Sequence, residues 1–188
     1  MKTLHWTLRD LELLPDDGNR YEIVDGELCV SKQPDWQHQL VCYQVGFLLG
    51  VWNEQSHAGF VNQEPGIVFA DDTNVVPDVI WISRERLKAV LHADGKLHNS
   101  PELVIEVLSL GTDSERRDRE VKLKLYSRYG VKEYWVVNWQ EQNLEVYLRE
   151  NTVLTLVQTL DGNDTLESPL LPSFHCKVSQ IFKNLSRA

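Results

Sequence analysis

Three residues of a type that is costly to bury stand in apolar surroundings. Asp78 lies in Val75-Val76-Pro77-Asp78-Val79-Ile80-Trp81-Ile82, and Glu106 interrupts Leu103-Val104-Ile105-Glu106-Val107-Leu108. Lys122 sits in Asp118-Arg119-Glu120-Val121-Lys122-Leu123-Lys124-Leu125-Tyr126-Ser127-Arg128-Tyr129. At about 100° per residue, a helix through that segment turns Val121, Leu125, Tyr126 and Tyr129 to one side. Lys122 falls in the middle of that arc with Asp118 one turn before it, while Lys124 faces away beside Arg117 and Arg128. A buried ammonium needs carboxylates around it, and a buried carboxylate needs a partner, a proton or a metal. Taken singly, Asp78 could bond nearby backbone and Lys122 could reach solvent along its helix. Taken together, two hard carboxylates can hold Mg²⁺ or Mn²⁺. Such an ion acidifies a bound water and neutralises a phosphate oxygen. An ammonium beside it can orient the water or stabilise pentavalent phosphorus. Phosphodiester hydrolysis needs those functions and little else.

The elements that must position these residues can be read from periodicity and turn signals. Residues 103–108 are apolar on both phases, as a central strand covered on both faces would be. Strand–helix–strand connectivity brings the strand at 77–82 beside it, and the Lys122 helix, closed by Gly130, packs across the sheet above both. Thr7 caps a short helix over 7–14. Asp25-Gly26 marks a hairpin between strands at 21–24 and 27–30. The longest helix runs from about 35 to 53. His38 opens it on the stripe Val41, Val45, Leu48, Trp52. Strands are expected at 60–64, 67–69 and 133–137, and short helices at 84–91 and 179–184. Segments 144–148 and 153–157 read as antiparallel additions. The sum is one α/β (α+β) domain over 1–188, with a mixed central sheet flanked by helices and antiparallel C-terminal strands.

Composition narrows the setting. The chain is 42% apolar and 25% charged, as an ordinary soluble protein is. No basic-then-apolar leader opens it. The longest apolar stretch, residues 40–52, is broken by Gln44 and falls short of the roughly 20 residues that cross a bilayer. Cys29, Cys42 and Cys176 are scattered, and read as small buried hydrophobes in a reducing compartment. These features predict a cytoplasmic protein without membrane contact. The net charge of −9 counts against simple binding to a polyanion. A local basic patch of Arg116, Arg117, Arg119 and Lys124 would offset it, as would bound metal.

Pro77-Asp78 followed by Glu106-Val107-Leu108 resembles the PD-(D/E)xK nuclease superfamily. The pattern departs at Leu108, where the motif's lysine normally stands and where strand alternation would set it on the face of Glu106. Lys122 is available from the following helix instead. That relocation is similar to the Uma family of restriction-endonuclease-like proteins. The likeness is carried by Tyr21-Glu22-Ile23-Val24-Asp25-Gly26-Glu27-Leu28, by His38, by Pro77-Asp78-Val79, and by Pro101-Glu102-Leu103-Val104-Ile105-Glu106-Val107-Leu108-Ser109. It continues from Asp118 through Lys122 to Tyr126, in Gly130-Val131-Lys132-Glu133-Tyr134-Trp135-Val136-Val137, and in Pro169-Leu170-Leu171-Pro172. The chain departs at Ser109-Leu110-Gly111-Thr112, where the family commonly reads Ser-Pro-Ser, and at Asn138, where it often has Asp. Neither change removes a metal ligand.

The resemblance implies a restriction-endonuclease-like core and a metal-dependent DNA endonuclease. Asp78, Glu106 and Lys122 would be catalytic. Mg or Mn would be held by Asp78, Glu106 and Glu22, with His38 bordering the site. Nucleases of this fold often pair two active sites, which implies a homodimer. The acidic net charge favours an alternative, a non-catalytic nuclease-like binding or regulatory module; the intact trio favours catalysis. A third reading is a metal-dependent hydrolase acting on something other than DNA. Methionine at position 122 is expected to keep the fold and even to stabilise it by avoiding a buried ammonium.

Overall fold

The computed structural model describes residues 4–185. The chain opens with α1 (Leu8–Leu11), whose cap Thr7 donates its backbone N–H and its hydroxyl to Asp10 at 2.8 and 2.7 Å. Strands β1 (Arg20–Val24) and β2 (Glu27–Ser31) then form a hairpin. Its two turn residues, Asp25 and Gly26, both hold positive φ, 51° and 78°, the double left-handed turn that matches strand twist. Asp35 caps α2 (Trp36–Ser56) by accepting from the His38 amide at 2.9 Å. There follow β3 (Gly59–Gln63), β4 (Ile67–Ala70), β5 (Thr73–Val75), β6 (Val79–Ser83), α3 (Arg84–Val90) and β7 (Leu103–Val107). A continuous helical run comprises α4 (Thr112–Arg116), a π-helical segment (Arg117–Lys122) and α5 (Leu123–Arg128). The chain ends with β8 (Glu133–Asn138), β9 (Asn143–Glu150), β10 (Val153–Asp161), β11 (Thr165–Glu167), β12 (His175–Lys177) and α6 (Val178–Ile181).

The main sheet has six strands in the order β10-β9-β8-β7-β6-β3, with β7 and β8 parallel and the other pairs antiparallel. A second sheet, β2-β1-β5-β4, carries the hairpin. Alternation along β7 divides two cores. Leu103, Ile105 and Val107 pack with Val41, Val45 and Leu49 of α2 and with Leu171 and Phe174. Val104 and Leu108 pack with Leu125 and Tyr126 of α5 and with Val24, Ile67 and Val75 of the second sheet. Glu106 therefore points into the second core, between Val104 and Leu108. Leu108, where the superfamily's lysine would stand, is 1% exposed among those apolar groups.

The elements expected from the sequence are present, though the helices expected over 7–14 and 179–184 shrink to Leu8–Leu11 and Val178–Ile181, and four further differences stand out. The strands β5, β11 and β12 are three residues each, too short to show alternation. A bulge between Leu156 and Gln158 lets β10 continue to Asp161, past the expected end at 157. The helical run carrying Lys122 begins at Thr112, ahead of the Asp118 from which the sequence reads it. The π-helical segment also breaks the assumed phase. Bonding from i to i+5 fits more residues into a turn, so Val121 is 37% exposed while Arg117 swings inward. Lys122, Leu125 and Tyr126 keep the inward placement expected of them.

Glu133, the first residue of β8, is wholly buried. It accepts hydrogen bonds from Trp135 Nε1 and from the Ser168 hydroxyl, both at 2.6 Å. Burial pushes its carboxyl up to about 7, against the pull of those two donors. A raised folded-state value means that the native protein holds a proton the unfolded chain has already lost, between the ordinary value of 4.5 and about 7. Stability must fall as pH rises through that window. Glu133→Gln, which keeps an acceptor for Trp135 and cannot ionise, should gain on the wild type by on the order of 3 kcal/mol between pH 4.5 and 8. Denaturant melts of both proteins across that range check the prediction.

Candidate active site

The antiparallel register Val79↔Ile105 and Ile80↔Val104, carried one residue further, sets Asp78 opposite Glu106. Directly opposed residues in such a pair share a face. The lock is a hydrogen bond from the Val107 amide to Asp78 Oδ2 at 2.9 Å. His38, in the first turn of α2, approaches the same point. Its Nε2 lies 2.9 Å from the Val107 carbonyl and 3.3 Å from Asp78 Oδ2. Both neighbours are acceptors, so that nitrogen carries the hydrogen. Arg20 of β1 holds the other oxygen, with Nη1 3.2 Å from Asp78 Oδ1 and 3.3 Å from the Val76 carbonyl. Burial alone would raise the Asp78 carboxyl, but the hydrogen bond and charge of His38, together with Lys122 and the Val107 amide, hold it at about 2. Burial likewise works against a charged His38, and Asp78 overrides it, raising the imidazole above its ordinary value.

Lys122, 2% exposed, is the second centre. Its Nζ lies 2.9 Å from Glu106 Oε1, 3.2 Å from Glu22 Oε1 and 3.8 Å from Asp118 Oδ1. Glu22 Oε1 also accepts from the Val76 amide at 2.9 Å, and Tyr126, one turn after Lys122, donates its hydroxyl to Glu106 Oε1 at 2.7 Å. Burial disfavours the ammonium, but Glu106, Glu22 and Asp118 drive its pKa above that of an ordinary lysine. Glu106 is pushed up to about 8 by burial, Lys122 pulling the other way and Asp78, Asp118 and Glu22 adding to the rise. Asp118 rises to about 6 for the same first reason, against Lys122 and Arg117.

All five residues singled out from the sequence, Asp78, Glu106, Lys122, Glu22 and His38, line one inner cavity of about 30 Å³. Arg20, Arg117 and Asp118 line it too and were not foreseen as site residues. For Arg20 a signal existed, since it sits two places before Glu22 and so shares its strand face. Arg117 was read as facing out, and the π-helical segment turns it in; its Nη1 donates to the Ser31 hydroxyl at 2.9 Å. Lys124 faces solvent as expected. The expected basic patch does not form as such, because Arg117 lines the site and Arg119 is bound to Glu115 and Glu145 at 2.9 and 3.0 Å.

The residues fit a hard divalent cation. The cavity exceeds the roughly 10–15 Å³ that one water needs, and its donors are carboxylate oxygens of the kind Mg²⁺ and Mn²⁺ prefer. Four carboxylates (Glu22, Asp78, Glu106 and Asp118) and four cations (Arg20, Lys32, Arg117 and Lys122) line it. Among the described residues of the lining, one buried acceptor, Asp118 Oδ1, has no hydrogen-bond donor, its cations Arg117 Nε and Lys122 Nζ standing off at 3.7 and 3.8 Å. The expected ligands are not equally free, however. The Lys122 ammonium stands between Glu22 and Glu106, and Glu22 Oε1 is engaged with it and with the Val76 amide. Among the described residues, the three-donor group whose ligand atoms all lie within 4.8 Å of one another is His38, Cys42 and Asp78. Burial drives the Cys42 thiol far above its ordinary range, which leaves it a poor ligand for a hard ion.

The fold is a mixed central sheet flanked by helices with antiparallel strands, and the family and structural comparisons agree with a restriction-endonuclease-like core. The chain belongs to the Uma2 family, described as "Putative restriction endonuclease", which matches residues 8–179. It is similar in structure to a protein from Anabaena variabilis described as "a putative nuclease", at 17% identity and a TM-score of 0.76, over 94% of this chain and 97% of that chain. No curated protein matches the sequence. Among the described residues, no helix is long and apolar enough to cross a membrane.

Three carboxylates around one ammonium reverse the expectation for position 122. Lys122→Met would leave Glu22, Glu106 and Asp118 facing one another without a cation, and removing one partner of a buried ion pair costs about 3–5 kcal/mol. The variant should therefore be less stable than the wild type at pH 8, with part of the loss recovered at pH 5, where the carboxylates can take up protons. Chemical denaturation at the two pH values measures both effects.

Proposed function

We propose that this protein is a Mg- or Mn-dependent endonuclease that hydrolyses phosphodiester bonds in DNA. The observation that carries the reading is the hydrogen bond of Lys122 Nζ to Glu106 Oε1 at 2.9 Å, in a cavity that Asp78 also lines. Asp78 and Glu106 are the residues that would hold the cation, with Glu22 beside them. When bound, the ion supplies charge neutralisation on a phosphate oxygen and acidifies water.

The remaining roles follow from the chain's own contacts. Glu106, Glu22 and Asp118 keep the Lys122 ammonium protonated, so it acts as a hydrogen-bond donor toward the attacking water or the developing negative charge. His38 and Arg20 each hold one oxygen of Asp78, which orients that carboxylate for a ligand role. Tyr126 does the same for Glu106. The acidic net charge of −9 supports the second reading, a nuclease-like module that binds without cutting.

Incubation of the protein with supercoiled plasmid and short oligonucleotides, in Mn²⁺ and in EDTA, separates the two. The expected result is cleavage in Mn²⁺ that Glu106→Gln abolishes. Binding without cleavage under any divalent ion would move the assignment to the non-catalytic module. Mn²⁺ should also raise thermal stability, by about 2.7 kcal/mol at 100 times Kd, and Asp78→Asn should remove that gain. Melting curves that coincide in Mn²⁺ and EDTA for the wild type would argue against a metal site of any kind.

A further inference from the structure

A larger groove of about 340 Å³ adjoins the inner cavity. The two share Ser31, Lys32, Pro34, Ser109 and Arg117 as common walls, so the groove is the approach to the site. The inner chamber, about 30 Å³, has room for an ion and little more. A phosphate must therefore come to it along the outer groove.

The groove's chemistry suits an extended anion. At its inner end stands Arg117, with one nitrogen on the Ser31 hydroxyl and its Nε paired at 3.7 Å with Asp118 Oδ1. Lys32 is exposed along its wall, and the Ser109 and Ser114 side chains add hydroxyl groups. Among the described residues, Asp35 is the one acidic residue of the lining, and its carboxylate is engaged in capping α2. Immediately after Asp35 in the chain comes Trp36, 79% exposed. An exposed indole one residue from a groove lined by Lys32, Arg117 and serine hydroxyls is a pairing that suits single-stranded nucleic acid, with bases stacking on the ring while phosphates follow the charge.

We propose that this groove is a binding subsite for a single nucleic-acid strand, with Lys32 and Arg117 taking phosphates flanking the reactive one and Trp36 stacking a base at the mouth. The inference rests on the nuclease reading and extends it to substrate form. Asp78, Glu106 and Lys122 are each nearly fully buried behind a narrow approach. A duplex holds its phosphates on a rigid cylinder that such a recess does not admit, whereas a single or frayed strand can thread it.

The test measures binding without metal, so that it does not depend on catalysis. A fluorescently labelled oligothymidylate of about eight nucleotides, within the usual footprint of such grooves, and a duplex of the same length are titrated with the full chain in EDTA. The single strand should bind more tightly than the duplex. Trp36→Ala should weaken single-strand binding by roughly five-fold or more. Lys32→Met and Arg117→Met should each lower the steepness of the log Kd against log salt plot by about 0.7. Lys32 and Trp36 are surface residues, so their variants remain informative if Arg117→Met fails to fold. Tighter binding of the duplex, or single-strand binding indifferent to both Lys32 and Trp36, would overturn the proposal while leaving the cleavage result untouched. Intact groove binding with no cleavage in Mn²⁺ would keep the subsite and remove the catalytic reading.

Discussion

An ammonium that water cannot reach must be solvated by the protein itself, and the architecture around Lys122 follows from that requirement. Its three acidic partners come from three separate places: Glu22 from the hairpin sheet, Glu106 from the centre of the main sheet, and Asp118 from the preceding helical turn. No local stretch of chain could supply that cage. Glu22 also holds the Val76 amide, two residues before Asp78, so the same contact set positions the next carboxylate. At the far end of the helical run, Arg128 grips the hairpin tip through two bonds to Asp25, 2.6 and 2.7 Å long. The two sheets are thus joined by buried charge through Lys122, while the Arg128–Asp25 pair adds a half-exposed link at the hairpin tip. Desolvating such groups costs several kcal/mol each unless the geometry is good. A fold that carries this cost at one place is spending stability on a site.

The position of Leu108 shows why the lysine comes from a helix. That residue lies deep in the core formed with Val104 and Tyr126, on the same strand face as Glu106. A lysine there would need its own acidic cage within apolar packing. The helix brings its ammonium to Glu106 from above, where Glu22 and Asp118 are already within reach. The function of the position is kept while the backbone that supplies it changes, as expected where geometry rather than chain order defines a site.

Much of this was legible because the chemistry conflicts with its surroundings. Asp78, Glu106 and Lys122 each stand out as polar groups in apolar segments, and a conflict of that kind marks either strain or function. The Asp25-Gly26 turn and the doubly apolar β7 were equally readable, each having a single physical explanation. What the sequence hid was of two kinds. Arg20 and Tyr126 carry no conflict of their own, since an arginine at a strand start and a tyrosine on an apolar helix face are ordinary; the spacing to Glu22 is the one hint for Arg20, and only the folded chain joins the two to Asp78 and Glu106. Arg117 and Val121 were misplaced for a different reason. A reading at a fixed angle per residue cannot know that one turn is wider, and nothing in Arg117-Asp118-Arg119-Glu120-Val121-Lys122 announces it.

That wide turn makes the site depend on chain length as well as on residue identity. Glu120 and Val121 are exposed, so their side chains can change freely with little effect on packing. Removing either residue outright is another matter. The run would tighten to ordinary α geometry, and everything upstream of Lys122 would rotate against it, carrying Arg117 and Asp118 off the cavity while Leu125 and Tyr126 stayed anchored in the core. Relatives that differ here by one residue in length would then carry a different set of groups at the same site, however well the flanking sequence matches.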